Sequence, residues 1–101
     1  MYGTVATFRV KSGQETKLNG LMEQWWRERA PKAKGAMSST LYKSDNNPGQ
    51  YMLAVMFDNK ANYEANAEDP EQDKWYKEMV ACLDGEPAWN DGEVVSHQHQ
   101  H

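Results

Sequence analysis

The sequence holds a single cysteine, Cys82, no histidine before position 97, and no apolar run near the ~18 residues that a bilayer span requires. Each shortage removes a class of function. One cysteine cannot close an intrachain disulfide or form a Cys-x-x-Cys pair. Cys82 sits between Ala81 and Leu83, with no histidine near in sequence and no adjoining cation to lower its pKa, so it is expected as a small packed hydrophobe in a helix. With histidine confined to positions 97, 99 and 101, no imidazole can act in the core as general base, haem ligand or metal ligand. Basic residues are short as well: 11 Lys and Arg against 15 Asp and Glu give a net charge of −4. Such a surface, without a basic stripe, repels phosphate, so neither nucleic acid nor an anionic membrane is expected as a partner. No glycine-rich phosphate loop and no Ser-His-Asp set is present. The start Met1-Tyr2-Gly3-Thr4 has neither a basic nor an apolar leader region, so no signal peptide is expected and the cytoplasm is the expected compartment.

What remains is 101 residues of ordinary globular balance, 26% charged and 39% apolar. The expected organisation is one domain over residues 1–96. The His-Gln-His-Gln-His tail, residues 97–101, is set aside as a purification tail or unstructured end. A chain this size buries roughly two-thirds of its unfolded surface by itself, so help from a partner subunit is in keeping with its size.

Residues 4–10 alternate around β-formers and predict a first strand. Ser12-Gly13-Gln14-Glu15 has the spacing of a capping box. The helix expected after it carries Leu18, Leu21, Met22, Trp25 and Trp26 on one stripe and stops at Ala30-Pro31. Residues 36–43 and 51–57 predict a hairpin around the turn-forming Asp45-Asn46-Asn47-Pro48-Gly49. A short helix over about 59–67 comes next. A longer one opens with Asp69 as N-cap, Pro70 as first residue and Gln72 three past the cap, carries Trp75, Tyr76, Met79, Val80 and Leu83, and ends at Gly85. Residues 89–95 predict a last strand, interrupted by Asp91-Gly92. The order is β-α-β-β-α-β: an α+β fold of ferredoxin-like type with a four-stranded antiparallel sheet.

The third strand decides the assembly expected. An antiparallel strand with one wet face alternates apolar and polar residues. Here Leu53, Val55 and Phe57 occupy one face while Met52, Ala54 and Met56 occupy the other. Two helices cover only one face, so a second copy of the chain is the simplest cover for the other, and a homodimer is expected.

At this point residues 52–57, the helix opening Asp58-Asn59-Lys60-Ala61-Asn62-Tyr63 and the cap Glu68-Asp69-Pro70-Glu71-Gln72 resemble the antibiotic biosynthesis monooxygenase family of dimeric α/β barrels. The resemblance covers the whole element order. It implies a dimeric barrel, a small apolar or aromatic ligand and, for the founding oxygenases, neither metal nor flavin. Those oxygenases surround a phenolic substrate with a strand asparagine, a strand-end tryptophan, a helix tyrosine and a later arginine. By spacing Tyr63 matches the tyrosine, Phe57 stands at the tryptophan, Leu53 at the asparagine, and Tyr76 or Lys77 at the arginine. The haem-degrading branch uses an Asn-Trp-His trio, whose tryptophan falls near Asn66 and histidine near Tyr76, so the trio does not carry over.

The chemistry left is an aromatic and sulfur-rich interior, able to wall an adaptable apolar pocket. Tyr63 and Tyr76 are the candidate catalytic residues, since each puts a phenol on a helix near the expected pocket mouth. Tyrosine, at a pKa near 10, is a poor base without a helper. Phe57, Trp75, Trp25, Met22, Met56 and Arg9 are the candidate pocket residues. Arg9, among Ala, Thr and Val, needs an anionic partner, either a ligand or a carboxylate such as Glu93. The expected function is that of a small aromatic-ligand protein similar to cofactor-independent monooxygenases acting on phenolic or quinone-like compounds. A non-catalytic binding or structural homodimer is the alternative.

Overall fold

The structure, a computed structural model, describes residues 1–100, so His101 of the tail lies outside the described residues. Strand β1 (Tyr2–Arg9) leads into α1 (Glu15–Gln24), which continues as a π-helical turn over Trp25–Arg29. The hairpin of β2 (Ala36–Lys43) and β3 (Gln50–Phe57) follows, then α2 (Lys60–Glu68), α3 (Pro70–Ala81) and β4 (Ala88–Glu93). The strands lie in the order β2-β3-β1-β4, every neighbouring pair antiparallel. This is the ferredoxin-like α+β arrangement that the sequence predicts. Among the described residues no helix is long and apolar enough to cross a membrane.

Strand periodicity sorts the two faces of the sheet. Thr4, Ala6 and Phe8 of β1 and Tyr51, Leu53 and Phe57 of β3 are buried towards the helices, whereas Val5, between two buried neighbours, is 52% exposed. Leu18 and Leu21 of α1 and Met79 of α3 close over the inner face, with Cys82 and Leu83 just beyond α3. Each such side chain contributes about 1.5–3 kcal/mol on burial. Cys82 is fully buried and its thiol donates to the Glu78 carbonyl at 3.6 Å, a packing role.

Several local expectations are corrected. The capping box at Ser12 does not form. Glu15 is the first residue of α1 and not its third, Gln14 caps without a side-chain bond, and Gly13 turns the chain at φ +85°. The first helix ends before Pro31, but its last turn widens: the Ala30 N–H donates to the Trp25 carbonyl at 2.8 Å, an i to i−5 bond. Asp69 caps α3 through the Glu71 N–H at 2.9 Å, with Pro70 first in the helix. Gln72 serves a different purpose, described below. Asp91-Gly92 does not interrupt β4, because Thr4 pairs with Asp91 and Gly3 with Gly92 in unbroken register. Gly3 is required there by close approach, since a Cβ on it would collide with the Val55 carbonyl.

Candidate functional site

The buried cluster fills the end of the sandwich marked by Phe8, Val10 and Leu83. Towards Thr4 on β1 and Phe57 on β3 the packing gives way to a cavity of about 270 Å³ between the sheet and the helices. Trp25 and Trp26 reach it from the π turn, Tyr63 and Asn66 from α2, Gln72, Trp75 and Tyr76 from α3, and Trp89 from β4. Its volume lies just below the ~300 Å³ at which ordinary ligand pockets begin. A mono- or bicyclic ring system matches a space of that size.

The walls are aromatic and their polar edges are tied down. Trp25 and Trp26 meet edge to face, centroids 5.1 Å apart, and Phe57 and Tyr63 do so at 5.6 Å. All four indole N–H groups are spent within the protein. Trp25 donates to Gln72 Oε1 at 2.6 Å, Trp26 to Ser39 Oγ at 2.6 Å, Trp75 to the Leu21 carbonyl at 2.9 Å and Trp89 to the Tyr76 hydroxyl at 3.1 Å. These bonds fix ring orientation and leave the indole faces and edges as apolar wall.

Tyr63 is the strongest perturbation in the site. Its hydroxyl donates to Asp91 Oδ1 at 2.9 Å. Burial first, then the Asp91 hydrogen bond and charge, push its pKa from 10.0 up to about 12, with the nearby Thr4 hydroxyl working in the opposite direction. A phenol so held is no base at neutral pH; it offers an oxygen lone pair. A spectrophotometric titration should therefore show one tyrosine ionising near pH 12, and Asp91→Asn should bring that step down towards 10.0, with burial keeping it above. Because the folded pKa is the higher one, the stability linked to this group is complete below about pH 10 and is lost as pH rises through about 12.

Thr4 is 5% exposed, and its hydroxyl, though close enough to Tyr63 to temper its acidity, completes no hydrogen bond of acceptable distance and angle. The residue lines the cavity, but its oxygen is shielded from solvent, and a buried hydroxyl without a partner costs free energy. Beneath the α2–α3 junction Arg29 Nη2 donates to Asn66 Oδ1 at 3.3 Å and to Asp69 Oδ2 at 3.2 Å. The Glu71 backbone N–H first, and Arg29 second, hold the Asp69 carboxyl below its ordinary pKa.

Of the residues expected in the pocket, Tyr63, Tyr76, Phe57, Trp75, Trp25 and Met22 line the cavity. Arg9 and Met56 do not, which corrects the expectation for both. Met56 pairs with Gly3 and Ser38 and alternates with Val55 and Phe57, so its side chain lies on the sheet face away from the helices. Arg9 is exposed at the far end of β1, where Nη2 donates to the Pro48 carbonyl at 2.8 Å. Glu93 cannot be its partner: it pairs with Tyr2, seven residues or roughly 23 Å of strand away. Thr4, Ser39, Asn66 and Gln72 also line the cavity and were not expected there. Asn66 had a usable signal, since it follows Tyr63 by three residues on the same helix and so shares its face.

No family model matches the sequence, and no curated protein matches it. Solved structures do match. The chain superposes on a mutant of SnoaB, a cofactor-independent oxygenase from Streptomyces nogalater, with a TM-score of 0.81 over 98% of this chain and 97% of that one, at 10% identity. A protein from Caulobacter crescentus, named provisionally as an antibiotic biosynthesis monooxygenase, gives 0.80 at 15% identity over 94% and 90%. Another so named, from Bordetella bronchiseptica, gives 0.78 at 21% identity over 94% and 97%. The chain has the fold of the proteins named antibiotic biosynthesis monooxygenases.

Proposed function

We propose that the cavity binds a mono- or bicyclic phenolic or quinone-like compound and that the protein oxygenates it without a cofactor, as a homodimer. One observation carries this: a ring-sized chamber walled by tryptophan, tyrosine and phenylalanine. The SnoaB fold match supports the choice of chemistry. In such a reaction the substrate phenolate gives an electron to O₂ directly. One oxygen atom becomes a ring carbonyl, and the other leaves as water with the hydrogen of that carbon and the proton the phenol gave up. The protein then contributes orientation and exclusion of water. Tyr63, its proton spent on Asp91, accepts a hydrogen bond from a second hydroxyl on the substrate ring. Tyr76 accepts from Trp89 and keeps its own proton to donate to a substrate oxygen.

Oxygen uptake, with ¹⁸O₂ incorporation into the product, over a panel of naphthols and dihydroxynaphthalenes that keep a hydrogen on the carbon to be oxygenated tests this. The expected result is uptake matched by quinone formation, with Tyr63→Phe lowering kcat about tenfold, the worth of one oriented hydrogen bond. No uptake across the panel would remove the oxygenase and leave a binding dimer.

The dimer rests on the sheet face away from the helices. Val5 and Thr7 of β1, Met52, Ala54 and Met56 of β3, Ser38, Thr40 and Tyr42 of β2, and Ala88 and Asn90 of β4 share that face by register. In a chain with 26% charged residues, that face is charge-free inside its Arg9 edge, and Val5 and Tyr42 stand more than half exposed on it. A second copy, presenting the same uncharged surface about a two-fold axis, is the occupant such a face suits.

A further inference from the structure

We infer that the cavity is polarised to receive hydrogen-bond acceptors, because Arg29 and Trp25 fix the amides of Asn66 and Gln72 with their N–H₂ groups left for the ligand. This rests on the proposal that a ring compound occupies the cavity, and it names the substituent that compound carries and the residues that read it. A carboxamide has an acceptor end and a donor end. Its orientation is settled only by neighbours that can play one part. Guanidinium and indole groups are such neighbours, since both donate and neither accepts. Arg29 Nη2 lies 3.3 Å from Asn66 Oδ1 and the Trp25 indole nitrogen 2.6 Å from Gln72 Oε1. In each pair the amide oxygen must face the donor, so the N–H₂ group is on the other side, and both residues line the cavity.

The two orienting residues are the first and last of the π turn, Trp25 and Arg29. Arg29 is held in turn by Asp69, the N-cap of α3, at 3.2 Å. Helix spacing then sets the amides beside the phenols. Asn66 follows Tyr63 by three residues on α2, and Gln72 precedes Tyr76 by four on α3. The Tyr76 hydroxyl, which accepts from Trp89, adds a third donor. Ser39 Oγ, which accepts from Trp26, keeps a proton to donate as a fourth, and against these donors the site sets two committed acceptors, the Tyr63 oxygen and the Asp73 carboxylate, the latter already paired with Lys77 at 3.0 Å. A ketone, quinone or phenolate oxygen satisfies that set. A bare hydrocarbon leaves the donors desolvated and unpaired, which costs affinity.

Equilibrium dialysis of the full chain against naphthoquinone and naphthalene tests the inference with two probes of one shape. Naphthoquinone should be held at least about tenfold more tightly, the effect of one or two neutral hydrogen bonds. Gln72→Glu and Asn66→Asp each keep an oxygen for Trp25 or Arg29 but replace the donor with an acceptor, so each should narrow or reverse that ratio. Two variants at separate helices guard against one failing to fold, which far-UV circular dichroism reports. Equal retention of both probes by the unmodified chain, or an unchanged ratio in the folded variants, overturns the inference while leaving a ring-binding cavity in place. Retention of neither probe overturns the ring-binding proposal and this inference together.

Discussion

Val5→Glu should run as a single-chain particle in sedimentation at micromolar concentration, where the unmodified chain is expected to run as the proposed dimer. Val5 is 52% exposed in the lone chain and is not needed by its core, so the substitution leaves the protomer folded. It sits opposite Ala54 of β3 and Asn90 of β4, near the middle of the uncharged sheet face. In a two-fold dimer the change occurs twice. Each new carboxylate would enter a surface offering no cation, and an unpaired buried charge costs several kcal/mol. Association should weaken by about three orders of magnitude or more, since each 1.4 kcal/mol is tenfold. Arg9 would not rescue it, because its guanidinium is engaged by the Pro48 carbonyl at the sheet's edge. A dimer of unchanged affinity would place the subunit contact elsewhere.

The second large effect concerns the cavity wall. Phe57→Ala should cost about 3–5 kcal/mol in urea unfolding, the usual range for truncating a buried phenylalanine. Phe57 is 1% exposed, ends β3 and stacks edge to face with Tyr63. The lower end of the range is expected, because the space vacated joins an existing cavity that solvent can enter. The same change should weaken aromatic ligands, whereas Met79→Ala, at a fully buried position outside the cavity lining, should lower stability with little effect on binding by the folded fraction. A Phe57→Ala protein as stable as the unmodified chain would contradict the packing described for that end of the sheet.

How much could be read in the sequence differs from element to element, for physical reasons. The uninterrupted apolar run of β3 and the Asp69-Pro70 helix start are local signals, and both gave elements where expected, within a residue. Aromatic residues at helical spacing pointed to the cavity because a wall of rings needs only the right face. Polar partners were not legible in this way. Gln72 has the spacing of a capping residue, yet its side chain is claimed by Trp25, 47 residues away in sequence. The π turn left no local mark, and it presents Trp25 and Arg29 to partners on α2 and α3 that only the tertiary fold brings near. Thr4 looked like an ordinary β-former; that its hydroxyl is buried and unpartnered follows from the cavity beside it. Arg9 and Met56 were misplaced for a simpler reason. Alternation says which residues share a face, but it does not say which face the ligand occupies.

The proposed ligand site lies between the helices and the sheet. All four tryptophans of the chain line that cavity, so indole N–H resonances report on it directly. In ¹H–¹⁵N correlation spectra of the full chain titrated with naphthoquinone, saturable shifts of the four indole signals are expected. Four indole signals unmoved at a concentration that saturates binding, with shifts confined to the backbone of Val5, Met52, Ala54 and Met56, would contradict that placement.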